Sequence, residues 1–256
     1  MTLTWVSFAI VCPLALIGGF VDAVAGGGGF FTLTAYLLAG FPVHNAIATN
    51  KLSSSMGTTV AAVSYIRQGY VPLKLAVYCV PCALLGAAGG AKLALAVSDT
   101  VFRWIMLGIL PIAGFYVLKK KNLDGGSPLE ELPLGKTALI CSLIALVFGV
   151  YDGFYGPGTG TFLILLFTGV AHLNLKTAAG TGKIINLSTN LASLAVYIFS
   201  GNTVFLLGLV AGGFSIVGNA LGSGTFVKKG NALARPLVLT VLVIFFGKLI
   251  WELIIK

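Results

Sequence analysis

The sequence contains few charged residues: Lys and Arg number 16 and Asp and Glu number 7 among 256 residues, or 9% together. Soluble domains carry about 25% charged residues, whereas hydrophobic residues here make up 57%. The shortage of charge therefore excludes an ordinary soluble domain and predicts an all-α polytopic membrane protein whose partner is the lipid bilayer. The net charge of +9 is spread through the loops without a basic face, so we expect no nucleic-acid partner.

Motifs of catalysis and nucleotide binding are missing as well. There is no HExxH or GxSxG motif, and the stretch AGTGKII lacks the spacing of a phosphate-binding loop, which argues against an enzyme. The two histidines and four cysteines suggest no metal-ligand cluster, so we expect neither a metal site nor a cofactor. The first apolar run lacks a basic n-region and a small-residue cleavage site, which predicts a transmembrane helix and not a signal peptide.

The chain does contain a repeat of its own first half. A shift of 132 residues superimposes Lys51 on Lys183, and a shift of 130 residues superimposes Asp22 on Asp152. Matches at these shifts extend over most of both halves, which indicates that they are copies of one unit. The predicted parts are a first transmembrane repeat, a cytoplasmic linker and a second transmembrane repeat, at residues 1–118, 119–136 and 137–256.

Each repeat contains five apolar runs. A complete crossing needs about 20 residues for about 30 Å of hydrocarbon, and the second run of each repeat is shorter than this. We therefore expect short discontinuous helices at the membrane midplane. The runs lie at about 3–22, 30–40, 45–66, 73–97 and 101–118 in the first repeat, and at about 137–151, 159–171, 177–199, 203–227 and 232–255 in the second.

The loop charges predict how the chain is oriented, because Lys and Arg favour the cytoplasmic face. If every run crosses, ten basic residues share one face against four on the other; if the short runs return to the face they left, the division is eight to six. The stronger bias favours ten segments in the cell (plasma or inner) membrane, with both termini outside and the linker in the cytoplasm. Because five segments per repeat is an odd number, the second repeat is inverted relative to the first. Homo-oligomerisation is left open.

Two glycine-rich breaks, AGGGGF and YGPGTGTF, interrupt the apolar runs. Non-helical backbone at membrane depth is tolerated only where it is buried in protein or lines a wet cavity. A half-helix that begins there presents free N–H groups and the positive end of its dipole, which favour an anion. Close helix packing is the alternative role for these glycines. The break residues that we expect to bind substrate are Gly26, Gly27, Gly28, Gly29, Gly156, Gly158, Thr159, Gly160 and Thr161.

Lys51 and Lys183 lie about two turns inside the third run of their repeats. A charge at this depth is functional by default, although a lysine near a helix end can also snorkel to the interface. Asp22 and Asp152 could carry a proton, cap the following short helix or pair with a lysine, and capping or pairing is favoured. Neutral donors near the lysines suit substrate binding or interhelical hydrogen bonding. They are Thr49, Asn50, Thr181, Asn186 and Asn190.

At these residues the chain resembles the TauE/SafE sulfite exporter family, also called the 4-toluene sulfonate uptake permease family. The resemblance covers nearly the whole chain and is carried by the segments DAVAGGGGF, ATNKLSSSMGTTVAAVSYIRQG, YDGFYGPGTGTF and AAGTGKIINLSTNLASLAVYIFSG. It implies a transporter of sulfite or of sulfur-containing organic anions such as sulfoacetate. Together with inverted repeats and broken helices, it predicts a secondary transporter, an exporter, that works by alternating access. An anion channel of the same fold and a membrane-embedded enzyme are the alternatives.

Overall fold

The computed structural model describes residues 3–98 and 133–229, together with Pro236, Leu237 and Thr240. All eight elements in these ranges are α-helices, and they correspond to the first four predicted runs of each repeat. The fifth run of the first repeat, nearly all of the fifth run of the second and most of the linker lie outside the described residues. The helices are α1 Trp5–Ala25, α2 Gly29–Leu38, α3 Val43–Arg67, α4 Leu73–Ala96, α5 Leu134–Phe154, α6 Thr159–Gly169, α7 Leu175–Phe199 and α8 Phe205–Lys229.

Local sequence explains where some of these helices begin and end. At the start of α1 the Thr4 hydroxyl accepts a hydrogen bond from the Ser7 N–H (3.4 Å), and at the start of α7 the Asn174 side chain accepts one from the Thr177 N–H (2.9 Å). Both are ordinary N-cap bonds. Helix α1 ends at Gly26, whose φ of 73° lies in the left-handed region that glycine adopts readily. The first predicted break therefore begins at a true helix end.

Length and polarity divide the helices into three groups. Helices α1, α4, α5 and α8 are long and apolar enough to cross a membrane. Helices α3 and α7 have 25 residues each but carry many buried polar side chains. Helices α2 and α6 are apolar and short, with 10 and 11 residues. Within the described residues, the fold is therefore that of an all-α polytopic membrane protein in which polar helices pack among apolar ones.

Glycines allow α4 of the first repeat to pack closely on α5 of the second. A Cβ atom at Gly86 would collide with the main-chain oxygen of Leu146, and one at Gly90 would collide with that of Val150. Small residues permit this close approach of two backbones in membranes. Because the contacting residue numbers rise together, α4 and α5 run in the same direction.

The same arrangement joins α8 of the second repeat to α1 of the first. A Cβ atom at Gly218 would collide with the main chain of Leu16, and one at Gly222 would lie 2.5 Å from the main-chain oxygen of Phe20. These helices are also parallel by the same reasoning. Each repeat therefore packs its fourth helix on the first helix of the other repeat.

Helix α3 lies between its counterpart α7 and helix α8. Gly208 of α8 faces Leu52 of α3, and Gly212 faces Met56. The residue numbers of the contacting positions again increase together, so α3 is parallel to α8 and hence to α1. Because α1 and α3 run in the same direction, the connection through α2 returns the chain toward the side on which α1 begins.

Candidate substrate-binding site

The two glycine-rich breaks meet in the interior of the protein. The backbones of Gly26 and Gly160 pack directly on each other, without room for a Cβ atom at either position. The Thr161 N–H donates to the Gly26 carbonyl (3.3 Å), and the Thr161 hydroxyl donates to the Ala25 carbonyl (2.7 Å). Backbone groups that a broken helix leaves free at the end of α1 thus find partners in the other repeat.

Each predicted lysine pairs with the aspartate of the other repeat. The distance from Lys51 Nζ to Asp152 Oδ2 is 2.7 Å, and that from Lys183 Nζ to Asp22 Oδ2 is 2.8 Å. Lys51 is 1% exposed and Lys183 is 4% exposed, so neither side chain snorkels. The structure shows pairing for both aspartates and not capping, because the N-cap positions of α2 and α6 are glycines without side-chain bonds.

Further hydrogen bonds surround both pairs. Lys51 Nζ also donates to Asn190 Oδ1 (3.0 Å), and Lys183 Nζ also donates to the main-chain carbonyl of Asp22 (2.7 Å). The Thr58 hydroxyl donates to Asp22 Oδ2 (3.3 Å). Buried ions are stable only when their remaining lone pairs and protons have such partners.

A polar cavity of about 20 Å³ lies between the breaks and the central helices α3 and α7. It has room for roughly one water molecule, so the site is nearly closed. Ser54 lines the cavity although it was not predicted; its hydroxyl donates to Asn50 Oδ1 (3.3 Å), and its spacing of one turn from Asn50 was the available signal. The lining residues are Asp22, Gly26, Gly29, Asn50, Lys51, Ser54, Asp152, Gly156, Gly158, Gly160, Asn186 and Asn190.

The other predicted site residues lie close by without lining this cavity. Gly28 packs on the backbone of Gly18 in α1. The Thr159 hydroxyl donates to the Gly156 carbonyl (2.7 Å), so this threonine, like Thr161, bonds the main chain. Packing therefore accounts for Gly28, and backbone hydrogen bonding accounts for Thr159 and Thr161. The residues outside the lining are Gly27, Gly28, Thr49, Thr159, Thr161, Thr181 and Lys183.

Thr49 and Thr181 are equivalent in sequence but differ in their hydrogen bonds. Thr49 Oγ1 accepts from the Val204 N–H (3.1 Å) at the start of α8, whereas Thr181 Oγ1 is buried without a partner among the described residues. The residue equivalent to Val204 is Pro72, which has no N–H to donate. The orphaned hydroxyl is therefore explained by the proline that precedes α4.

Two tyrosines brace the helix ends that carry the aspartates. The Tyr65 hydroxyl donates to the Ala23 carbonyl (2.6 Å), and the Tyr197 hydroxyl donates to the Gly153 carbonyl (3.1 Å). Ala23 and Gly153 directly follow the two aspartates in sequence. These tyrosines were not predicted to belong to the site, although their equivalence at a shift of 132 residues was a signal.

The electrostatics of the site follow from the two ion pairs and the two short helices. The charges of the paired lysines and aspartates cancel, whereas α2 and α6 begin at the breaks with the positive ends of their dipoles and α1 and α5 end there with the negative ends. Gly29 is the first residue of α2 and Gly160 is the second of α6, and both line the cavity. The other amides in these first turns, those of Phe30, Phe31, Thr159 and Thr161, already donate to carbonyls of the two breaks. Lys51 and the starts of α2 and α6 thus border one small polar cavity.

Ionisable groups enclosed among membrane helices are typical of transport proteins, and the fold and site place the chain in that class. The chain belongs to the sulfite exporter TauE/SafE family, whose family model matches residues 11–249. The protein is thus a membrane transporter of the family that its motifs resemble.

Similar proteins bear consistent names. A probable membrane transporter protein of Haemophilus influenzae is 31% identical over 244 residues, which cover 95% of this chain and 94% of the relative. The probable membrane transporter protein ORF9 of a Sinorhizobium species is 35% identical over 237 residues, or 91% and 88% of the two chains. The probable membrane transporter protein YfcA of Escherichia coli K12 is 31% identical over 260 residues, or 97% and 94%. No solved structure matches the chain.

Proposed function

We propose that the protein is a secondary transporter that exports small anions, namely sulfite or sulfur-containing organic anions such as sulfoacetate, by alternating access. The observation that carries the proposal is the enclosed Lys51–Asp152 pair, which borders a polar cavity beside the ends of two short helices. The description of the matching family, sulfite exporter, supports the substrate class and the direction.

The anion is bound mainly by backbone amides and by Lys51. Each half-helix end contributes about half a positive charge, and glycine lets the backbone approach the ligand closely. Asparagine amides add donors without net charge. The residues that we propose as contacts are Gly26, Gly29, Asn50, Lys51, Gly156, Gly158, Gly160, Asn186 and Asn190. Those that position them are Gly27, Gly28, Thr49, Thr159, Thr161, Thr181 and Lys183.

The directions of the central helices support inverted repeats. Lys51 of α3 bonds Asn190 of α7. Further along α3, Thr58 bonds Asp22, which accepts from Lys183, a residue that lies earlier in α7. The residue numbers of the contacting positions increase along α3 and decrease along α7. These equivalent helices are therefore antiparallel. We infer that the two repeats cross the membrane in opposite directions.

The parallel directions of α1 and α3 support the predicted topology. They fit short helices that carry the chain back across the membrane, which is the arrangement with the ten-to-four division of basic residues. The protein then lies in the plasma or inner membrane with ten segments. Both termini are outside, and the linker is in the cytoplasm. Rocking of one bundle of helices against the other around the central site gives alternating access.

The small volume of the cavity favours a transporter over a channel. A channel needs a continuous pore, whereas a transporter passes through states in which its site is closed. The described cavity of about 20 Å³ is too small for any of the proposed anions and fits such a closed state.

A ligand screen followed by a flux measurement tests the proposal. The purified protein is heated in the presence of sulfite, sulfate, thiosulfate, sulfoacetate or acetate, because a ligand at 100 times its dissociation constant stabilises by about 2.7 kcal/mol. Sulfite or sulfoacetate should raise the melting temperature more than acetate does. The stabilising anion should then exchange across proteoliposome membranes at a saturating rate. Absence of both stabilisation and flux for every sulfur oxyanion would contradict the proposal.

A further inference from the structure

The two ion pairs differ in their access to the cavity. Both members of the Lys51–Asp152 pair line it, whereas in the other pair only Asp22 does. Lys183 Nζ is held by two oxygens of Asp22, the carboxylate at 2.8 Å and the main-chain carbonyl at 2.7 Å. A molecule in the cavity therefore meets the ammonium group of Lys51 and not that of Lys183.

Gly156, which has no Cβ atom, lies directly beside the Lys51 ammonium and the Asp152 carboxylate. A Cβ atom at this position would lie 3.1 Å from Lys51 Nζ and 3.2 Å from Asp152 Oδ1. Among the described residues, Lys51 Nζ has two acceptors, Asp152 Oδ2 and Asn190 Oδ1, for its three protons. The third proton and the absence of a Cβ atom at Gly156 together let an oxygen of an anion approach Lys51 Nζ.

An anion in that place competes with Asp152 for the same ammonium group. Two negative groups that share one cation repel each other, and the repulsion favours the protonated form of the carboxyl group. A proton on Asp152 removes the repulsion and leaves Lys51 free to bind the anion. For a monoanion, the site then has the same net charge with proton and anion bound as it has when empty.

We propose, on the basis of the proposed function, that the Lys51–Asp152 pair couples anion transport to protons. Asp152 takes up one proton from the adjoining water when an oxyanion binds to Lys51, and it releases this proton when the anion leaves on the other side. No bond within the anion changes. The proton and the anion travel in the same direction, so transport of a monoanion is electroneutral. The Lys183–Asp22 pair stays closed throughout.

Asp152 is the carboxylic acid that contacts Lys51 Nζ, at 2.7 Å. Other titratable groups lie on the elements that surround this pair. The Tyr151 hydroxyl donates to the Pro157 carbonyl (2.7 Å), and the Tyr197 hydroxyl of α7 donates to a main-chain carbonyl (3.1 Å). Helix α6 contains no titratable side chain. The remaining groups on the neighbouring segments are Cys12 and Asp22 of α1, His44, Tyr65 and Arg67 of α3, Lys74, Tyr78, Cys79, Cys82 and Lys92 of α4, Lys136 and Cys141 of α5, Tyr155 in the second break, and Lys176 and Lys183 of α7.

Calorimetry of anion binding counts the protons directly. The probe is sulfoacetate, whose acid groups stay ionised near neutral pH, and titrations of protein in nanodiscs use two buffers with different ionisation enthalpies. We expect uptake of about one proton per anion and a dissociation constant that rises about tenfold per pH unit. Asp152→Asn should bind sulfoacetate without proton uptake and without this pH dependence, whereas Asp152→Glu should keep both.

The chain offers a matched control in Asp22, the equivalent residue of the other pair. Asp22→Asn should still take up one proton per anion, whatever its affinity. Binding by the wild-type protein without proton uptake overturns the coupling and leaves the proposed function intact, and this measurement needs no variant. The coupling is also overturned if the Asp152→Asn variant still takes up a proton when it binds the anion and the Asp22→Asn variant does not. If the wild-type protein binds none of the sulfur oxyanions, the proposed function fails and the coupling fails with it.

Discussion

At the scale of single residues, two lysine–aspartate ion pairs hold the site together, and each pair joins one repeat to the other. A buried lysine alone is costly in a membrane, but Lys51 has Asp152 at 2.7 Å and Lys183 has Asp22 at 2.8 Å. Removing one member of such a pair leaves the other uncompensated. The lysines therefore stabilise the fold in addition to the role that we propose for them at the anion site.

Replacement of Lys51 by Ala should lower the free energy of unfolding by about 3–5 kcal/mol, because Asp152 then stays buried without a countercharge. The double variant Lys51→Met/Asp152→Leu removes both charges, so it should recover most of this stability and still fail to bind anions. Denaturant unfolding in detergent measures the first effect, and sulfoacetate titration measures the second. Wild-type stability of Lys51→Ala would show that the pair does not hold the fold.

Gly156→Ala tests the space beside the ammonium group, and Gly201→Ala is its matched control. Both glycines have positive φ, 102° and 73°, so an alanine at either position should cost about 1–2 kcal/mol of stability. Only at Gly156 would the added Cβ meet Lys51; nothing lies within 4 Å of one at Gly201. We expect Gly156→Ala to weaken sulfoacetate binding at least tenfold, which is about 1.4 kcal/mol, and Gly201→Ala to leave it unchanged. Equal affinities in calorimetry would contradict this geometry.

Residue types and their depth could be predicted from the sequence, but partners could not. Self-comparison shows that Lys51 is equivalent to Lys183 and Asp22 to Asp152. It does not show that each lysine crosses to the aspartate of the other repeat, because equivalence in a repeat carries no information on proximity. The threonines of the second break illustrate the same limit, since a hydroxyl at a helix start can turn to the ligand or to a carbonyl.

At the scale of elements, apolar runs and breaks predicted all eight described helices, with bounds that differ from the structure by at most three residues. Hydrophobicity is sufficient for this because a membrane helix satisfies its own backbone. Which helices pack together depends on matched surfaces, such as Gly90 of α4 against Val150 of α5. That pairing of α4 with α5 joins the two repeats and appears nowhere in the pattern of apolar runs.

The neighbouring glycines Gly90 and Gly89 of α4 separate packing from helix propensity. A Cβ at Gly90 would meet the main chain of Val150, whereas one at Gly89 would meet nothing within 4 Å. Gly90→Ala should therefore lower the free energy of unfolding by about 1–3 kcal/mol through overpacking. Gly89→Ala should be neutral or should stabilise by up to about 1 kcal/mol. Thermal unfolding of both variants in the same detergent compares them, and similar losses would mean that the α4–α5 contact is not tight.

At the scale of the whole molecule, helices of each repeat pack mainly on helices of the other repeat. The first helix of each repeat lies on the fourth helix of the other, and the third helices, α3 and α7, meet at the centre. The Lys51–Asp152 and Lys183–Asp22 pairs cross the same boundary. Any motion that opens the cavity by moving one bundle against the other must therefore rearrange contacts at the boundary where we propose that the anion binds, which would relate binding to the conformational change.

The proposed inversion of the repeats predicts that equivalent loops face opposite sides of the membrane. Gln68 directly follows α3 and Ser200 directly follows α7, and both side chains are exposed. In a background with the four native cysteines replaced by Ala, Ser200→Cys should react with an impermeant maleimide added to intact cells. Gln68→Cys should react only after the membrane is permeabilised, because it lies near the basic residues Arg67 and Lys74 in a loop that we propose to be cytoplasmic. Reaction of both cysteines from one side would contradict the antiparallel α3 and α7, and reaction of Gln68→Cys alone in intact cells would reverse the orientation while leaving the inversion in place.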